Sequence, residues 1–440
     1  MADTRTEKYI ATLSEMIKCE TISDYDFIDE AKFTKFIELL KELFPTFFSV
    51  CEVENFNGSL LMKWQGRGSK ENPVLFMNHY DVVTANGGWE HKPFDAEVSD
   101  GKLWGRGTLD NKGGLFGMLQ AAEELIADGF IPERDIYFES ACTEETTGIG
   151  ADTISKELEK RNIRLDFVLD EGGLIVEEPI AGVKGFYAMV GVGEKGCADL
   201  KFIARSTGGH ASTPGKNTPL VRLGKFMAEM EKSNVFISEM SPTVKEMLTR
   251  LAPEMSGVLK TVCGHAEFFK PLIKAVVPSV SPVAGALFKT TLAFTTAQGS
   301  DGLNVLPQMA YITGNMRFSH HQGGKNSIEA VRKIAEKFDI EVEVIDPGFE
   351  SSIADFNSDA FKLVESAVSA VFPDVKTVPY LMNAASDCRF FSRNSDNCLR
   401  FLPFKINNQQ MASIHGFDEN IDVDTLAPAV DFYRYMMLKL

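Results

Sequence analysis

The first half of the chain alternates short apolar runs, which predict buried strands, with longer segments of helical periodicity. The predicted strands are 74–77, 135–143 and 165–170, and the predicted helices between them are 113–128 and 151–161. Each of these strands ends at acidic residues or at a His-x-Asp pair. Strands that alternate with helices and carry polar residues at their carboxyl ends predict an α/β sheet with its site along one edge.

The regions around this core have simpler patterns. Residues 1–50 predict two helices, the second from about Asp29 to Leu43, and 51–66 predicts a hairpin with its turn at Asn57-Gly58. From about residue 187 the pattern changes. Segments 187–206 and 289–318 predict strands and 325–337 predicts a helix, which together suggest a compact β-α-β-β-α-β unit.

Two further stretches complete the organisation. Residues 233–290 are rich in Met, Pro, Val and Phe, with helical character and no identifiable chemistry. From Phe356 onward the α/β pattern resumes. We therefore predict a larger unit built from 1–186 and 348–440, with a smaller unit, 187–347, inserted into it.

Composition narrows the class of protein. The 440 residues are 44% hydrophobic and 24% charged, as in ordinary globular proteins, and the net charge is −17 without a basic stretch. Nucleic acid and membrane surfaces are therefore not expected partners. The seven cysteines form no CxxC pair, which argues against a disulfide framework and a cysteine zinc site. With no secretory or membrane-spanning pattern, the expected location is the cytoplasm.

The polar residues at the predicted strand ends form a chemically coherent set. They are His79, Asp81, Asp110, Glu144, Glu145, Asp170 and His415. Two histidines with several carboxylates suit zinc and tolerate cobalt or manganese. The set is large enough for two ions that share a bridging carboxylate, roughly 3.5–4 Å apart.

Two pairs within this set have an ordinary alternative. In an extended chain His79 and Asp81 lie on one face, so the carboxylate can orient a metal-binding imidazole. Taken alone, however, the pair is more simply the polar end of a strand. Glu144 and Glu145 could be a solvent-facing acidic pair. They could instead divide two tasks, one binding metal and the other taking a proton from a water whose pKa the metal lowers to about 7.

The chain carries, in this order, HYDVV, GRGTLDNKGG, EET, LDEGG, GGHASTP, GLNVLP and SIHGFDENI. Together these segments resemble the di-zinc exopeptidase and deacylase superfamily, which includes carboxypeptidase S, carboxypeptidase G, aminoacylase-1, dipeptidases, acetylornithine deacetylase and succinyl-diaminopimelate desuccinylase. The motif form is most similar to the carboxypeptidase S-like branch. The resemblance implies a three-layer, mixed-sheet α/β catalytic domain (1–186 and 348–440) with an inserted two-layer α/β lid and dimerisation domain (187–347).

The resemblance also implies roles for individual residues. The ligands of two divalent ions, with zinc expected and cobalt or manganese as alternatives, would be His79, Asp110, Glu145, Asp170 and His415. Asp110 would bridge the ions, and its peptide bond to Asn111 matches a cis bond in the family. Asp81 would orient His79, and Glu144 would be the general base and acid. Glu171, adjacent to Asp170, is an alternative ligand.

In the inserted unit, His210 resembles the histidine that reaches the active site of a partner subunit, which implies a homodimer. Asn304 and Arg317 match residues associated with substrate binding. The alternatives are that His210 caps a turn and that Arg317 pairs with a nearby carboxylate. Arg389, in a segment that departs from the usual Gly-Thr form, is a second candidate for binding a substrate carboxylate.

The predicted function is a metal-dependent hydrolase that cleaves an amide bond next to a free carboxylate. A carboxypeptidase or dipeptidase acting on short peptides is favoured by the LDEGG form and the overall length, with Glu144 as the base acting on metal-bound water. The alternatives are an N-acyl-amino-acid deacylase and a catalytically silent binding homologue. The silent homologue would be expected to lack a ligand or Glu144, and every position is filled.

Overall fold

A computed structural model describes residues 4–25, 30–180, 182–280 and 282–440. Its helices are α1 (Thr4–Lys18), α2 (Glu30–Leu43), α3 (Pro45–Val50), α4 (Lys112–Ala127), α5 (Ile149–Lys160), α6 (Pro219–Lys232), α7 (Pro242–Leu251), α8 (Gly257–Gly264), α9 (Lys270–Val280), α10 (Pro282–Phe288), α11 (Gly324–Glu336), α12 (Asp359–Val371), α13 (Asn408–Ser413) and α14 (Leu426–Met437). Among these residues, no helix combines the length and apolar character needed to cross a bilayer.

The strands are β1 (Glu52–Phe56), β2 (Ser59–Trp64), β3 (Val74–Met77), β4 (Val98–Ser99), β5 (Lys102–Trp104), β6 (Ile136–Ser140), β7 (Val168–Asp170), β8 (Ile175–Glu177), β9 (Phe186–Glu194), β10 (Gly196–Arg205), β11 (Gly209–His210), β12 (Thr291–Gln298), β13 (Val305–Leu306), β14 (Met309–Phe318), β15 (Glu341–Asp346), β16 (Lys376–Met382), β17 (Cys398–Arg400), β18 (Lys405–Ile406) and β19 (Asn420–Asp422). The helices and strands predicted from the sequence recur with shifts of a few residues. Helix α3 was not predicted, and Asp29, the predicted start of α2, lies outside the described residues.

The main sheet is mixed and buried on both faces. Its order is β1-β2-β6-β3-β7-β17-β9-β8-β18, with β16 also paired to β9. One face packs on a large core to which α1, α2, α4, α12 and α14 contribute, and the other on a smaller core beneath α5. The predicted α/β class with a three-layer, mixed-sheet arrangement is therefore confirmed.

A second sheet has the order β12-β14-β10-β15 and its own core with α6 and α11. In chain order its elements run β10, α6, β12, β14, α11, β15, which is the predicted β-α-β-β-α-β pattern. The chain passes from the main sheet to this one at Lys195, between β9 and β10.

The stretch 233–290, for which the sequence predicted no role, packs on the main body. Buried Met240, Val244, Met247 and Leu251 belong to the large core, and α7 lies against β16. Burial against the main sheet thus accounts for part of its apolar composition, while Val258, Leu259 and Phe268 are exposed.

Candidate metal centre

Three adjacent parallel strands bring the first predicted site residues together. Strand β3 pairs in parallel with both β6 and β7. Because parallel neighbours end at the same sheet edge, the residues following β3 and β6 and the last residue of β7 meet there. This edge carries His79, Asp81, Glu144, Glu145 and Asp170.

Asp110 lies between two histidines that are far apart in sequence. Its Oδ1 is 3.0 Å from Nε2 of His79, and its Oδ2 is 3.1 Å from Nε2 of His415. Oε2 of Glu145 is also 3.1 Å from Nε2 of His415. His79, Asp110 and Glu145 each offer one ligand atom, and these three atoms lie within 4.8 Å of one another. Each oxygen of Asp110 therefore faces a different nitrogen donor, as a bridging carboxylate requires. The Asp110-Asn111 peptide bond is cis, as predicted.

The second ring nitrogen of His79, Nδ1, contacts Asp81. Nδ1 lies 3.0 Å from the backbone carbonyl oxygen of Asp81 and 3.4 Å from its carboxylate Oδ1. With Nδ1 turned towards Asp81, Nε2 is the ring nitrogen that faces Asp110 and is placed to bind a metal ion. The carboxylate of Asp81 also accepts the backbone N–H groups of Glu144 and Glu145, at 3.2 and 3.1 Å. Asp81 thus anchors the loop carrying both glutamates, a contact the sequence did not indicate.

The charges of the cluster are strongly coupled. Hydrogen bonds to Asp110 and Glu145 raise the pKa of His415 to about 10. Burial acts against ionisation of Asp110, but hydrogen bonds to His415 and His79 hold its pKa below the ordinary value. Burial raises the pKa of Glu145 to about 7 and that of Glu144 well above its ordinary range. Carboxyl groups this close together repel one another when they are ionised, and a bound cation reduces that repulsion.

The donor chemistry fits divalent ions. The cluster offers imidazole nitrogens and carboxylate oxygens without a thiolate, which suits zinc, cobalt or manganese. Oε1 of Glu145 is buried and has no hydrogen-bond partner within the described chain. An unpartnered carboxylate oxygen beside two histidines is a ready metal ligand.

Asp170 stands at the same sheet edge. It is buried, and its Oδ2 accepts the backbone N–H of Cys388 at 2.8 Å. Burial raises its pKa, as it also does, more strongly, for the neighbouring Glu171. Asp170 is outside the tightest cluster of His79, Asp110 and Glu145.

The predicted residues of the inserted unit lie on its own elements. His210 is exposed on β11, and its Nδ1 contacts the hydroxyl and backbone N–H of Ser212 at 2.7 and 3.1 Å, as in the turn-capping alternative. Strand β11 pairs with β13, and Asn304, the residue before β13, is exposed. Arg317, on β14, donates from Nε to Asn315 Oδ1 at 3.1 Å; within the described ranges, no carboxylate lies within ion-pair distance of it.

Arg389 is placed beside the glutamate loop. Its Nη1 donates to the Ser386 carbonyl at 2.9 Å, and its Nη2 is 4.0 Å from Oδ1 of Asp387. A Cβ on Gly148 would lie 2.5 Å from that Asp387 oxygen and 3.0 Å from Nη2 of Arg389. The segment following β16 is therefore packed directly against the loop that carries Glu144.

Sequence reasoning gave no role to two buried charged residues near this site, Arg106 and Glu419, and singled out a third, Asp387, only as part of the segment that carries Arg389. Burial raises the pKa of Asp387 to about 7, and neither of its oxygens has a hydrogen-bond partner in the described part of the chain. Glu419 lies four residues after His415 within SIHGFDENI, so its position near a ligand was visible in the sequence. Its complete burial was not.

Comparison with known proteins identifies the family. The profile described as "Peptidase family M20/M25/M40" matches residues 75–439. The chain therefore belongs to this family, and it is an enzyme, a metal-dependent hydrolase of the exopeptidase or aminoacylase type.

Two curated relatives are similar over most of the chain. "Probable carboxypeptidase S-like 2" of Dictyostelium discoideum is 31% identical over 420 residues, covering 93% of this chain and 79% of that protein. Human "N-fatty-acyl-amino acid synthase/hydrolase PM20D1" is 32% identical over 410 residues, covering 91% of this chain and 81% of that protein. These matches support the carboxypeptidase S-like branch.

Solved structures share the fold. The M20 family metallo-carboxypeptidase Sso-CP2 from Sulfolobus solfataricus has a TM-score of 0.70 at 18% identity, with 99% of each chain covered. The Bacillus subtilis YXEP protein, described as a dinuclear metal binding peptidase from the M20 family, has a TM-score of 0.60 at 11% identity, covering 100% of this chain and 99% of that one.

Proposed function

We propose that the enzyme hydrolyses an amide bond next to a free carboxylate, most simply as a carboxypeptidase or dipeptidase on short peptides. The observation that carries the proposal is Asp110, with one oxygen facing His79 and the other facing His415, beside the loop of Glu144 and Glu145. A cluster with this donor set is suited to two divalent ions, for which zinc is our choice.

In this proposal the ligands divide into two groups that share Asp110. His79 and Asp170 complete one group, and Glu145 and His415 complete the other. When bound, the ions would polarise the scissile carbonyl and lower the pKa of the attacking water. The chain supplies the remaining functions itself.

Glu144 is the proposed proton carrier. Its carboxyl belongs to a half-buried loop anchored by Asp81, and desolvation raises its pKa well above that of a free glutamate. A carboxyl with a raised pKa can take a proton from the attacking water and deliver it to the leaving amine. Glu145, whose backbone N–H shares the Asp81 anchor, holds metal instead.

A comparison of the two glutamates tests these roles. Glu144→Gln should keep its metal content near wild type while kcat falls by about 10²–10⁴-fold, the usual contribution of a general acid–base group. Glu145→Gln, the matched control on the same loop, should lose metal. Loss of metal from the Glu144 variant would make it a ligand and refute its proposed role. Wild-type protein that retains no zinc, cobalt or manganese after dialysis would instead favour a silent homologue.

N-acyl amino acids are the second candidate substrates, because the human relative at 32% identity is named a fatty-acyl-amino acid hydrolase. Both substrate classes carry a free carboxylate, for which Arg317, Asn304 and Arg389 are the proposed binding residues. A panel of dipeptides against N-acetyl and long-chain N-acyl amino acids, compared by kcat/KM, distinguishes the two.

We also propose a homodimer in which the inserted unit that begins at β10 contributes His210 to the partner's site, where this histidine stabilises the oxyanion. Beside the two-stranded ribbon of β11 and β13, Leu303 is fully exposed and Val305 is half exposed, and this apolar surface is suited to a second subunit.

Mixing two inactive variants tests the proposed dimer. Inactive Glu144→Gln protein and inactive His210→Ala protein, mixed in equal amounts and allowed to exchange, should recover up to about a quarter of wild-type activity, because about half of the dimers are then mixed and each mixed dimer has one complete site of two. Sedimentation of each variant checks that it still dimerises. A fully active monomer, or no recovery in proven mixed dimers, refutes the role in trans.

We place the enzyme in the cytoplasm. All seven cysteines are free, and six of them are buried, as expected in a reducing compartment.

A further inference from the structure

Two buried charged residues, Arg106 and Glu419, join the loops that carry Asp110 and His415. Their side chains are only 2% and 0% exposed, and Nη1 of Arg106 donates to Oε2 of Glu419 at 2.7 Å. Neither residue has a part in the proton transfers or metal binding proposed above. A buried ion pair typically adds little stability compared with apolar residues of the same shape, so its placement calls for another explanation.

Glu419 fixes the backbone that leads to Asp110. Its Oε1 accepts the backbone N–H groups of Gly107, Leu109 and Asp110, at 3.1, 2.8 and 3.1 Å. Its own carbonyl oxygen accepts the N–H of Gly105 at 2.8 Å. The direction in which the Asp110 side chain leaves the loop is therefore set by a single carboxylate from a distant part of the chain.

Arg106 fixes the backbone next to His415. Its Nη2 donates to the carbonyl oxygen of Gly416 at 2.7 Å, and its guanidinium lies 5.0 Å from the centre of the Trp89 ring. His415 itself has a φ of 59°, a left-handed conformation that is uncommon for residues other than glycine. The contact of Arg106 with the next residue, Gly416, constrains the backbone at this point.

We propose that Arg106 and Glu419 form a clasp that sets the spacing between Asp110 and His415 and thereby the affinity of the ion those residues share with Glu145. Both are positioning residues, because they act through the ligands and not on the substrate. The inference rests on the proposed metal site. It adds that this site is built from two loops whose relative position is maintained by one buried ion pair.

Metal titration of the chelator-stripped protein tests the clasp. The affinity of each of the two zinc-binding steps is measured against a competing chelator in wild type, Glu419→Gln and Arg106→Lys. The same titration of His415→Ala identifies which of the two steps involves His415. Glu419→Gln should weaken that step by about 10–100-fold, the usual effect of losing a residue that orients a ligand, and change the other step much less. Arg106→Lys keeps the charge but not the forked geometry, so its effect should be smaller.

A stability-matched variant separates positioning from general destabilisation. Val430→Ala removes volume from a fully buried position in α14 and should lower Tm while leaving both zinc affinities unchanged. Unchanged zinc affinities in Glu419→Gln, or equal losses at both steps, would overturn the clasp. If Glu419→Gln does not fold, Arg106→Lys decides by the same criterion. Wild-type protein that binds no zinc would refute the proposed function itself, which is a different outcome.

Discussion

Replacing Asp81 by Ala separates two contacts that one residue makes. The carboxylate, which is fully buried, accepts the backbone N–H groups of Glu144 and Glu145 at 3.2 and 3.1 Å. Nδ1 of His79 is closer to the backbone carbonyl of Asp81, at 3.0 Å, than to its carboxylate, at 3.4 Å. Alanine keeps the carbonyl and removes the carboxylate, so the imidazole retains its nearer acceptor while the glutamate loop loses its anchor.

The size of the effect follows from these contacts. A buried N–H left without an acceptor costs about 1–3 kcal/mol, so losing the acceptor of two such groups costs about 2–6 kcal/mol where water does not replace it. This cost falls on the loop that carries Glu144. We therefore expect Asp81→Ala to lower kcat/KM by about 10–100-fold or more, with His79 still able to bind metal.

The assay compares kcat/KM with metal content after dialysis, in the same preparations. Asp81→Asn, which keeps one carbonyl oxygen in a side chain of the same shape, serves as the matched variant and should lose less activity than Asp81→Ala. Metal lost in parallel with activity would show that the carboxylate, not the backbone carbonyl, holds His79, and would refute the reasoning.

Two further outcomes follow from the same loop and its neighbours. Gly148 has a φ of 65°, and a Cβ there would lie 2.5 Å from Oδ1 of Asp387, so Gly148→Ala should reduce both Tm and kcat/KM. Gly129 has a φ of 77° and open space around it. Gly129→Ala should therefore cost only the left-handed strain of about 1–2 kcal/mol and leave kcat/KM intact. In the metal-free enzyme the raised pKa of His415, about 10, keeps the imidazole protonated at pH 8, so zinc must displace a proton and its apparent affinity should rise with pH towards 10. Calorimetry in buffers of different ionisation enthalpy should show this proton release at pH 8, and a binding heat independent of the buffer would contradict it.

The sequence predicted the elements of the site well because the relevant signals are local. Apolar runs that end in acidic residues or a His-x-Asp pair indicate strands with polar carboxyl ends, and β3, β6 and β7 have that form. The β-α-β-β-α-β order of the smaller unit was likewise visible in the alternation of patterns. The roles of the ligands, of Glu144 and of the lid residues stay predictions that the experiments above address.

Other features could not be predicted because they depend on long-range packing. The apolar stretch 233–290 has the composition of any buried helical segment, and only the fold shows that α7 covers β16. Glu419 is an ordinary acidic residue in sequence. Its importance comes from being fully buried against Arg106 and three backbone N–H groups.

The sequence by itself determined which residue types stand at the strand ends, and therefore that carboxylates and histidines dominate the site. Only the tertiary structure decided how they face one another: that Asp110 directs one oxygen to His79 and the other to His415, and that Asp81 anchors the backbone of the glutamate loop. The physical reason is that strand patterns arise from neighbours in sequence. The distance between Asp110 and His415 is set instead by sheet order and by the buried hydrogen bonds between their loops.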